Sequence, residues 1–368
     1  MVKILMISPK DNNFYNFRRE LIFEMLKEKY QVYLVCPYGK KLDIFIAAGC
    51  RFINLKIDRR GTNPIKDFQQ IVFYKKILQK IKPDVVLTYT GKCSIYGGIA
   101  CGKKYPYIVN NAGLMDTSTY PFWLDIVLNF LYKEGFRNAT CIMYQNKQER
   151  DYINKLLKYK VRYKDIPGSG VNLNEFTYQS YPVDDSEIVF NFVGRIVGIK
   201  GITEYIECAK RVHAIYPNTK FIIYGDYDDD QYRKKINEGI SKGYLEYGGI
   251  LMDMKPAIAK AHAVIHPSYY EGMTNVVLEY SASGRVCIGS NIPGVMDGID
   301  NGVTGYTFNC KDINDLVEKV NIFIKLSHEK KAEMGIKARE KMEREFDRKI
   351  VTDTYLEEIE RIIKHNKN

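Results

Sequence analysis

His266-Pro-Ser-Tyr-Tyr-Glu271-Gly272-Met273-Thr274-Asn275-Val-Val-Leu-Glu279-Tyr-Ser-Ala-Ser-Gly284 is the stretch on which the fold turns. Ala263 to Ile265 ahead of it is a short apolar run that reads as a buried strand. Behind it, the spacing of Val276, Val277 and Tyr280 reads as a helix with Thr274 at its N-cap. Glu271 then falls in the turn, with Glu279 about a turn and a half inside the helix. Were both helical, eight steps of roughly 100° would leave them about 80° apart; with the first in the loop, the two carboxylates can converge on one ligand. A strand-turn-helix junction aims backbone N–H groups and the positive end of a helix dipole into the turn, which suits a phosphate. Carboxylates beside it suit the hydroxyls of a sugar. Phosphate plus polyol describes a nucleotide sugar. Read alone, the pair also fits a loop carboxylate and a solvated helix residue, and the upstream sequence decides between them.

Upstream stands Phe192-Val-Gly194-Arg195-Ile-Val-Gly198-Ile-Lys200-Gly201, between a second apolar strand pattern, Ile188 to Val193, and a helical pattern from about Thr203. The glycines let the backbone turn tightly, and Arg195 and Lys200 place two cations in the turn. A diphosphate leaving group needs such compensation, because negative charge builds on the leaving oxygen as the glycosidic bond breaks. Arg clamps bidentately and Lys acts as a point charge.

Phe-Val-Gly-Arg195 followed by Lys200-Gly, then Pro-Ser-x-x-Glu271-Gly with a second Glu at 279, resembles the retaining glycosyltransferases of family 4. Three further stretches resemble that family in the same order: Gly168-Ser-Gly-Val-Asn, Tyr224-Gly-Asp226 and Asn301-Gly-Val-Thr-Gly305. The resemblance spans essentially the whole chain. It implies an α/β protein of the GT-B fold, two Rossmann-like domains whose parallel sheets face a central cleft, using a nucleotide-sugar donor. The implied domains are 1–180 for the acceptor, 187–345 for the donor, and a helix at 346–368 crossing back to the first.

Composition fits. A chain of 368 residues suggests about two domains, and 45% hydrophobic content is that of an ordinary folded protein. No apolar run approaches the roughly 20 residues of a spanning helix, and the N-terminus reads as a first strand rather than a signal peptide. Eight cysteines without a Cys-x-x-Cys point to reduced, buried thiols and a cytoplasmic setting. Charge is lopsided: residues 1–184 carry 29 Lys+Arg against 16 Asp+Glu, and residues 185–368 carry 26 against 28. A half this basic, with dibasic pairs such as Arg18-Arg19, Lys40-Lys41 and Arg59-Arg60, is expected to seek an anionic membrane surface. Nucleic acid is not the expected partner, because no nucleic-acid motif accompanies the charge.

The first half alternates strand and helix patterns, beginning with a strand at Lys3 to Ile7 and a helix from Phe17 to Lys29, which implies a parallel sheet covered on both sides. Its first turn, Pro9 to Asn16, continues into Asn16-Phe-Arg. That tripeptide, with Thr90-Gly-Lys92 and Tyr144-Gln-Asn146, resembles the capsule and O-antigen subgroup, whose acceptors are polyprenol-diphosphate-linked saccharides. Asn16, Lys92, Asn110 and Asn111 are therefore the expected acceptor-side or cleft residues; Asn16 equally suits a helix cap. The family's usual first-domain histidine has no counterpart, since the first histidine is His213. The helix 120–136, with the only Trp, reads as core-packed or as resting on a membrane. Tyr178 to Ser186 reads as the inter-domain linker.

By resemblance, Arg195 and Lys200 hold the diphosphate with N–H groups of Gly272, Met273, Thr274 and Asn275; Glu271 orients donor-sugar hydroxyls and Glu279 accepts from the ribose. Gly248-Gly-Ile250-Leu251 follows a strand end and reads either as meeting the base through backbone groups, Ile250 among them, or as a plain turn. The implied reaction is transfer of a hexose or N-acetylhexosamine from a UDP-sugar with retention, without a cofactor or metal, at the inner face of the membrane. Asp226-Tyr-Asp228-Asp-Asp230 imitates a metal motif but is expected to cap the next helix. His262 and His266 are spaced by four but flank a strand, so joint metal ligation is not expected; His266 reads as a hydrogen-bonded core histidine, with lining of the cleft as the alternative. Two other readings remain: a GT-B nucleotide-sugar epimerase, and a non-catalytic basic protein bound to membrane or nucleic acid.

Overall fold

The computed structural model describes residues 1–56, 63–111, 122–183 and 186–367. Arg59-Arg60, the residues 112 and 113 that follow Asn111, the start of the 120–136 helix and Asp184-Asp185 lie outside the described residues, as does the Asn111 side chain.

The first unit comprises residues 1–169 and 349–368. In chain order it holds β1 (Lys3–Ile7), α1 (Asp11–Phe17), α2 (Arg19–Lys27), β2 (Gln31–Cys36), α3 (Asp43–Ala47), β3 (Arg51–Asn54), α4 (Pro64–Ile81), β4 (Val85–Tyr89), α5 (Gly91–Cys101), β5 (Tyr107–Asn111), α6 (Phe122–Phe136), β6 (Cys141–Tyr144), α7 (Lys147–Leu157) and β7 (Tyr163–Asp165). The second unit, Gly170–Arg348, holds β8 (Ile188–Val193), α8 (Ile202–Ile215), β9 (Thr219–Tyr224), α9 (Gln231–Ser241), β10 (Glu246–Gly249), α10 (Lys255–Lys260), β11 (Ala263–His266), α11 (Asn275–Ala282), β12 (Val286–Ser290), β13 (Gly305–Phe308), α12 (Ile313–Ile324) and α13 (His328–Glu345). The last helix, α14 (Arg348–Lys367), belongs to the first unit from Lys349 onward.

Both sheets are parallel, in the orders β3-β2-β1-β4-β5-β6-β7 and β10-β9-β8-β11-β12-β13. The expected pair of Rossmann-like domains is what forms. Central strands such as Val85–Tyr89 and Cys141–Tyr144 are buried along their length, because helices cover both faces and the strands can be apolar throughout. In the first unit, one face packs Leu5, Ile7 and Val86 against α4, α5, α6 and α7. The other packs Ile4, Met6 and Leu87 against α1, α2, α3 and the Val351, Tyr355, Ile359 and Ile362 face of α14.

The structure departs from the sequence pattern in three places. The expected first turn, 9–16, is mostly helical: α1 buries Phe14 and breaks at Arg18 (φ −135°, ψ 11°), and the helix expected from Phe17 to Lys29 forms as α2. Pattern reading also passes over α7 and the short edge strand β7. Finally, the chain leaves the first unit at Ser169, ahead of the expected linker. Residues 178–181 are held within the second unit, where buried Arg285 donates to the Gln179 and Ser180 carbonyls and Tyr181 Oη donates to His262 O. Polar composition suggested a free connector, and a buried guanidinium needing acceptors fixed it instead.

Candidate functional site

In the second unit the strand order reverses between β8 and β11, and open parallel sheets bind ligands beyond the carboxyl ends of strands at such a point. The loops leaving these two strands, 194–201 and 267–274, are packed together. Gly201 has φ +71°, and a Cβ there would lie 2.0 Å from the Pro267 carbonyl oxygen. Tyr269 N–H donates to Ile199 O at 2.9 Å. This packing brings Lys200 Nζ to 2.5 Å from Glu271 Oε1. His266, buried at the end of β11, places Nε2 at 3.1 Å from the same oxygen. Both donors use Oε1, which leaves Oε2 without a donor among the described residues.

Burial alone would push the Glu271 carboxyl up. The hydrogen bond and charge of His266, together with Lys200, outweigh that and hold it at about 2. Glu271 is thus a fixed carboxylate, able only to accept. His266 is buried and hydrogen-bonded as expected; what the sequence did not name is its partner, Glu271, although His266 is the last strand residue before the turn that carries it.

The Glu271 turn is braced from its other side. Gly294 has φ +77°, and a Cβ there would lie 2.1 Å from the Gly272 carbonyl oxygen. Thr274 N–H donates to Gly294 O at 3.0 Å. That bond commits one of the amides expected to meet a diphosphate to the protein itself. Thr274 does occupy the N-cap position of α11, but its hydroxyl makes no capping bond, and Asn275 opens the helix. The Met273 side chain packs into a small apolar cluster with Leu278, Ala282 and Met342. Glu279 lies half-buried on α11; burial drives its carboxyl up to about 7, with Arg348 opposing and Glu175 adding to the rise.

Arg195 is paired with Asp228 at 2.5 Å, so its guanidinium rests on a carboxylate. The acidic run 228–230 therefore divides its work, and only one member caps: Asp229 accepts from Gln231 N–H, Asp230 pairs with Arg233, and Asp228 holds Arg195. Ile250 follows β10 with its side chain exposed.

In the first unit, Asn16 lies exposed on α1 and accepts from Lys41 Nζ at 3.2 Å, away from any helix cap. Lys92 reaches Asp67 on α4 at 2.8 Å. Asn110 is buried at the end of β5, donates to Tyr355 Oη at 2.8 Å and accepts from Gln145 at 3.4 Å, which ties α14 to the sheet. Lys92 and Asn110 thus carry bonds within the unit that spacing did not reveal.

Residues 3–146 match the glycosyl transferase 4-like family and residues 174–341 match the glycosyl transferases group 1 family, one within each unit. The chain belongs to these glycosyltransferases. An α-1,3-N-acetylgalactosaminyltransferase of Campylobacter jejuni that acts on N,N'-diacetylbacillosaminyl-diphospho-undecaprenol is 22% identical over 99% of this glycosyltransferase and 100% of its own length. An Escherichia coli α-1,3-galactosyltransferase from UDP-Gal to α-D-GlcNAc-diphosphoundecaprenol is 26% identical over 84% of this chain and 83% of its own. Among solved structures, a Rickettsia africae glycosyltransferase superposes with a TM-score of 0.80 at 15% identity, covering 99% of each chain. Anabaena HepE in complex with UDP gives 0.78 at 14% identity over 97% of this chain and 99% of its own. These likenesses are to the GT-B fold. No helix among the described residues is long and apolar enough to cross a membrane.

Proposed function

We propose that this glycosyltransferase moves a hexose or N-acetylhexosamine from a UDP-sugar to a polyprenol-diphosphate-linked saccharide, with retention of configuration and without a metal. The observation that carries the reading is the Lys200–Glu271–His266 cluster at the β8/β11 switch point. A cation for the leaving diphosphate and an ionised acceptor for sugar hydroxyls are the two groups that glycosyl transfer asks of a protein. Lys200 neutralises charge developing on the leaving oxygen, Arg195 joins it by exchanging Asp228 for phosphate, and Glu271 Oε2 accepts from the donor sugar. Glu279 accepts from the ribose. The acceptor hydroxyl attacks the anomeric carbon on the face the diphosphate leaves, and its proton passes to the departing phosphate oxygen. The undecaprenol-linked substrates of the Campylobacter and Escherichia relatives support the acceptor class.

The reading includes peripheral attachment to the membrane that carries the acceptor. On α6, Trp123 and Phe130 are 63% and 61% exposed, and Ile126 and Val127 are exposed between them, an i, i+3, i+4, i+7 stripe. Ile65 and Phe68 of α4 are also exposed, and α5 packs between the two helices. Nucleotide release from a panel of UDP-, GDP- and ADP-sugars, with lipid-linked saccharide as acceptor and with or without EDTA, tests the reading. Acceptor-dependent release from a UDP-sugar, insensitive to EDTA, is expected; release that needs no acceptor would favour another activity.

A further inference from the structure

Arg18 belongs to the Asn16-Phe17-Arg18 stretch, yet nothing in the donor chemistry uses it. It is 4% exposed. Its Nη1 donates to the Phe17 carbonyl at 2.6 Å, and its guanidinium lies 5.1 Å and 5.4 Å from the ring centroids of Tyr89 and Tyr355. No carboxylate among the described residues pairs with it, and buried Nε has no hydrogen-bond partner. Tyr89 Oη, also buried, faces Arg18 and the Tyr355 hydroxyl without a well-aligned hydrogen bond to either. Arg285, buried more deeply still, shows what a purely structural guanidinium looks like: its nitrogens donate to the carbonyls of Ile258, Ala259, Gln179, Ser180, Ser283 and Gly284.

The groups gathered around Arg18 have more protons to give than lone pairs to receive them, and none of them is negatively charged. Arg Nε can only donate, and a tyrosine hydroxyl has a proton to give. Tyr355 Oη already accepts from Asn110, which itself accepts from Gln145, so this chain of hydrogen bonds ends in the Tyr355 proton, on the side of Tyr89 and Arg18. Among the described residues the acceptors that face the guanidinium are all neutral, the Phe17 carbonyl and the Tyr89 and Tyr355 hydroxyls, and beside a buried cation without a counter-charge the group that fits is an anion. The place is suited to one: the first sheet reverses order between β1 and β4, Arg18 follows β1 at the start of α2, and Tyr89 ends β4 opposite Asn110 of β5. Thr90, next to Tyr89, holds φ +68°, a costly conformation for a β-branched residue and of the kind that ligand sites retain.

We infer that Arg18, Tyr89 and Tyr355 form an anion site in the first unit that takes the diphosphate of the lipid-linked acceptor. The lipid-ester assignment rests on the proposed transferase reading; the anion site itself does not. The donor diphosphate has its own cations, Lys200 and Arg195, in the other unit.

Calorimetry on the full chain tests this with farnesyl diphosphate, inorganic pyrophosphate and UDP as separate probes. Arg18→Gln is expected to weaken farnesyl diphosphate about 10- to 100-fold, the scale of a lost charge-assisted hydrogen bond, and Tyr89→Phe about 3- to 10-fold. UDP affinity should stay within about twofold in both. Tyr89→Phe keeps the ring under the guanidinium, so it decides the matter if Arg18→Gln does not fold. Unchanged farnesyl diphosphate binding in Tyr89→Phe, or loss of UDP in its place, overturns the site. Pyrophosphate binding as tightly as farnesyl diphosphate, with the same dependence on Arg18, overturns the lipid ester in favour of a free anion. Absence of UDP binding to the unaltered protein would remove the transferase reading, while the farnesyl diphosphate arm would still report on Arg18.

Discussion

Gly201→Ala probes the packing that creates the candidate active site without touching a reacting group. At φ +71°, alanine costs roughly 1–2 kcal/mol in backbone conformation alone. Its Cβ would start 2.0 Å from Pro267 O and 2.7 Å from Pro267 Cβ, so the 194–201 and 267–274 loops must part by roughly 1 Å to reach an ordinary contact. Lys200 adjoins Gly201, and Glu271 follows Pro267 in the same short loop. Widening their 2.5 Å contact by that amount removes roughly 2 kcal/mol of attraction at an effective dielectric of about 20. The two terms together come to about 3–4 kcal/mol, which for a unit of this size lowers its melting temperature by roughly 6–15 °C. Turnover should fall about 100-fold, the scale of a 1 Å misplacement of a positioned group. Thermal unfolding followed by circular dichroism and nucleotide release with saturating acceptor measure the two effects. An alanine variant that melts within about 2 °C of the parent and turns over within about threefold would refute the claim that glycine here sets the Lys200–Glu271 geometry.

Lys200→Ala and Glu271→Ala are each expected to lower transfer by at least about 100-fold, as removal of a preorganised stabilising group does; near-normal turnover in either would sink these assignments. Glu279 should give the donor KM a pH dependence: below about 7 its carboxyl is protonated and accepts poorly, so KM falls as pH rises through 7, and Glu279→Gln flattens the profile. The same group lowers stability as pH rises from the ordinary carboxyl range toward 7, because the folded state holds its proton more tightly than the unfolded chain, and this slope in unfolding free energy should vanish in Glu279→Gln. Trp123→Ser with Phe130→Ser should cut sedimentation with anionic vesicles by about tenfold or more; unchanged binding would place membrane contact elsewhere.

The sequence by itself determined the two-unit parallel architecture, because fully buried strands between amphipathic helices impose apolar runs and spacings that survive without coordinates, as at Ile188–Val193 and Ala263–Ile265. It also singled out Lys200 and Glu271, whose turns must carry glycine and polar residues where strands end. Tertiary structure decided what those residues touch. His266 reads as one more strand residue until the Pro267 loop folds against Gly201 and gives it Glu271 as a partner. Asn110 and Tyr355 lie far apart in the chain, and no local pattern foretells their bond. The same holds for Arg18, where a break between two short helices turns a surface-looking basic pair into one buried cation between two tyrosine rings. Periodicity reports which face of an element is apolar; it carries no information on which distant polar group will meet it, since long-range pairing is fixed only when the whole core closes.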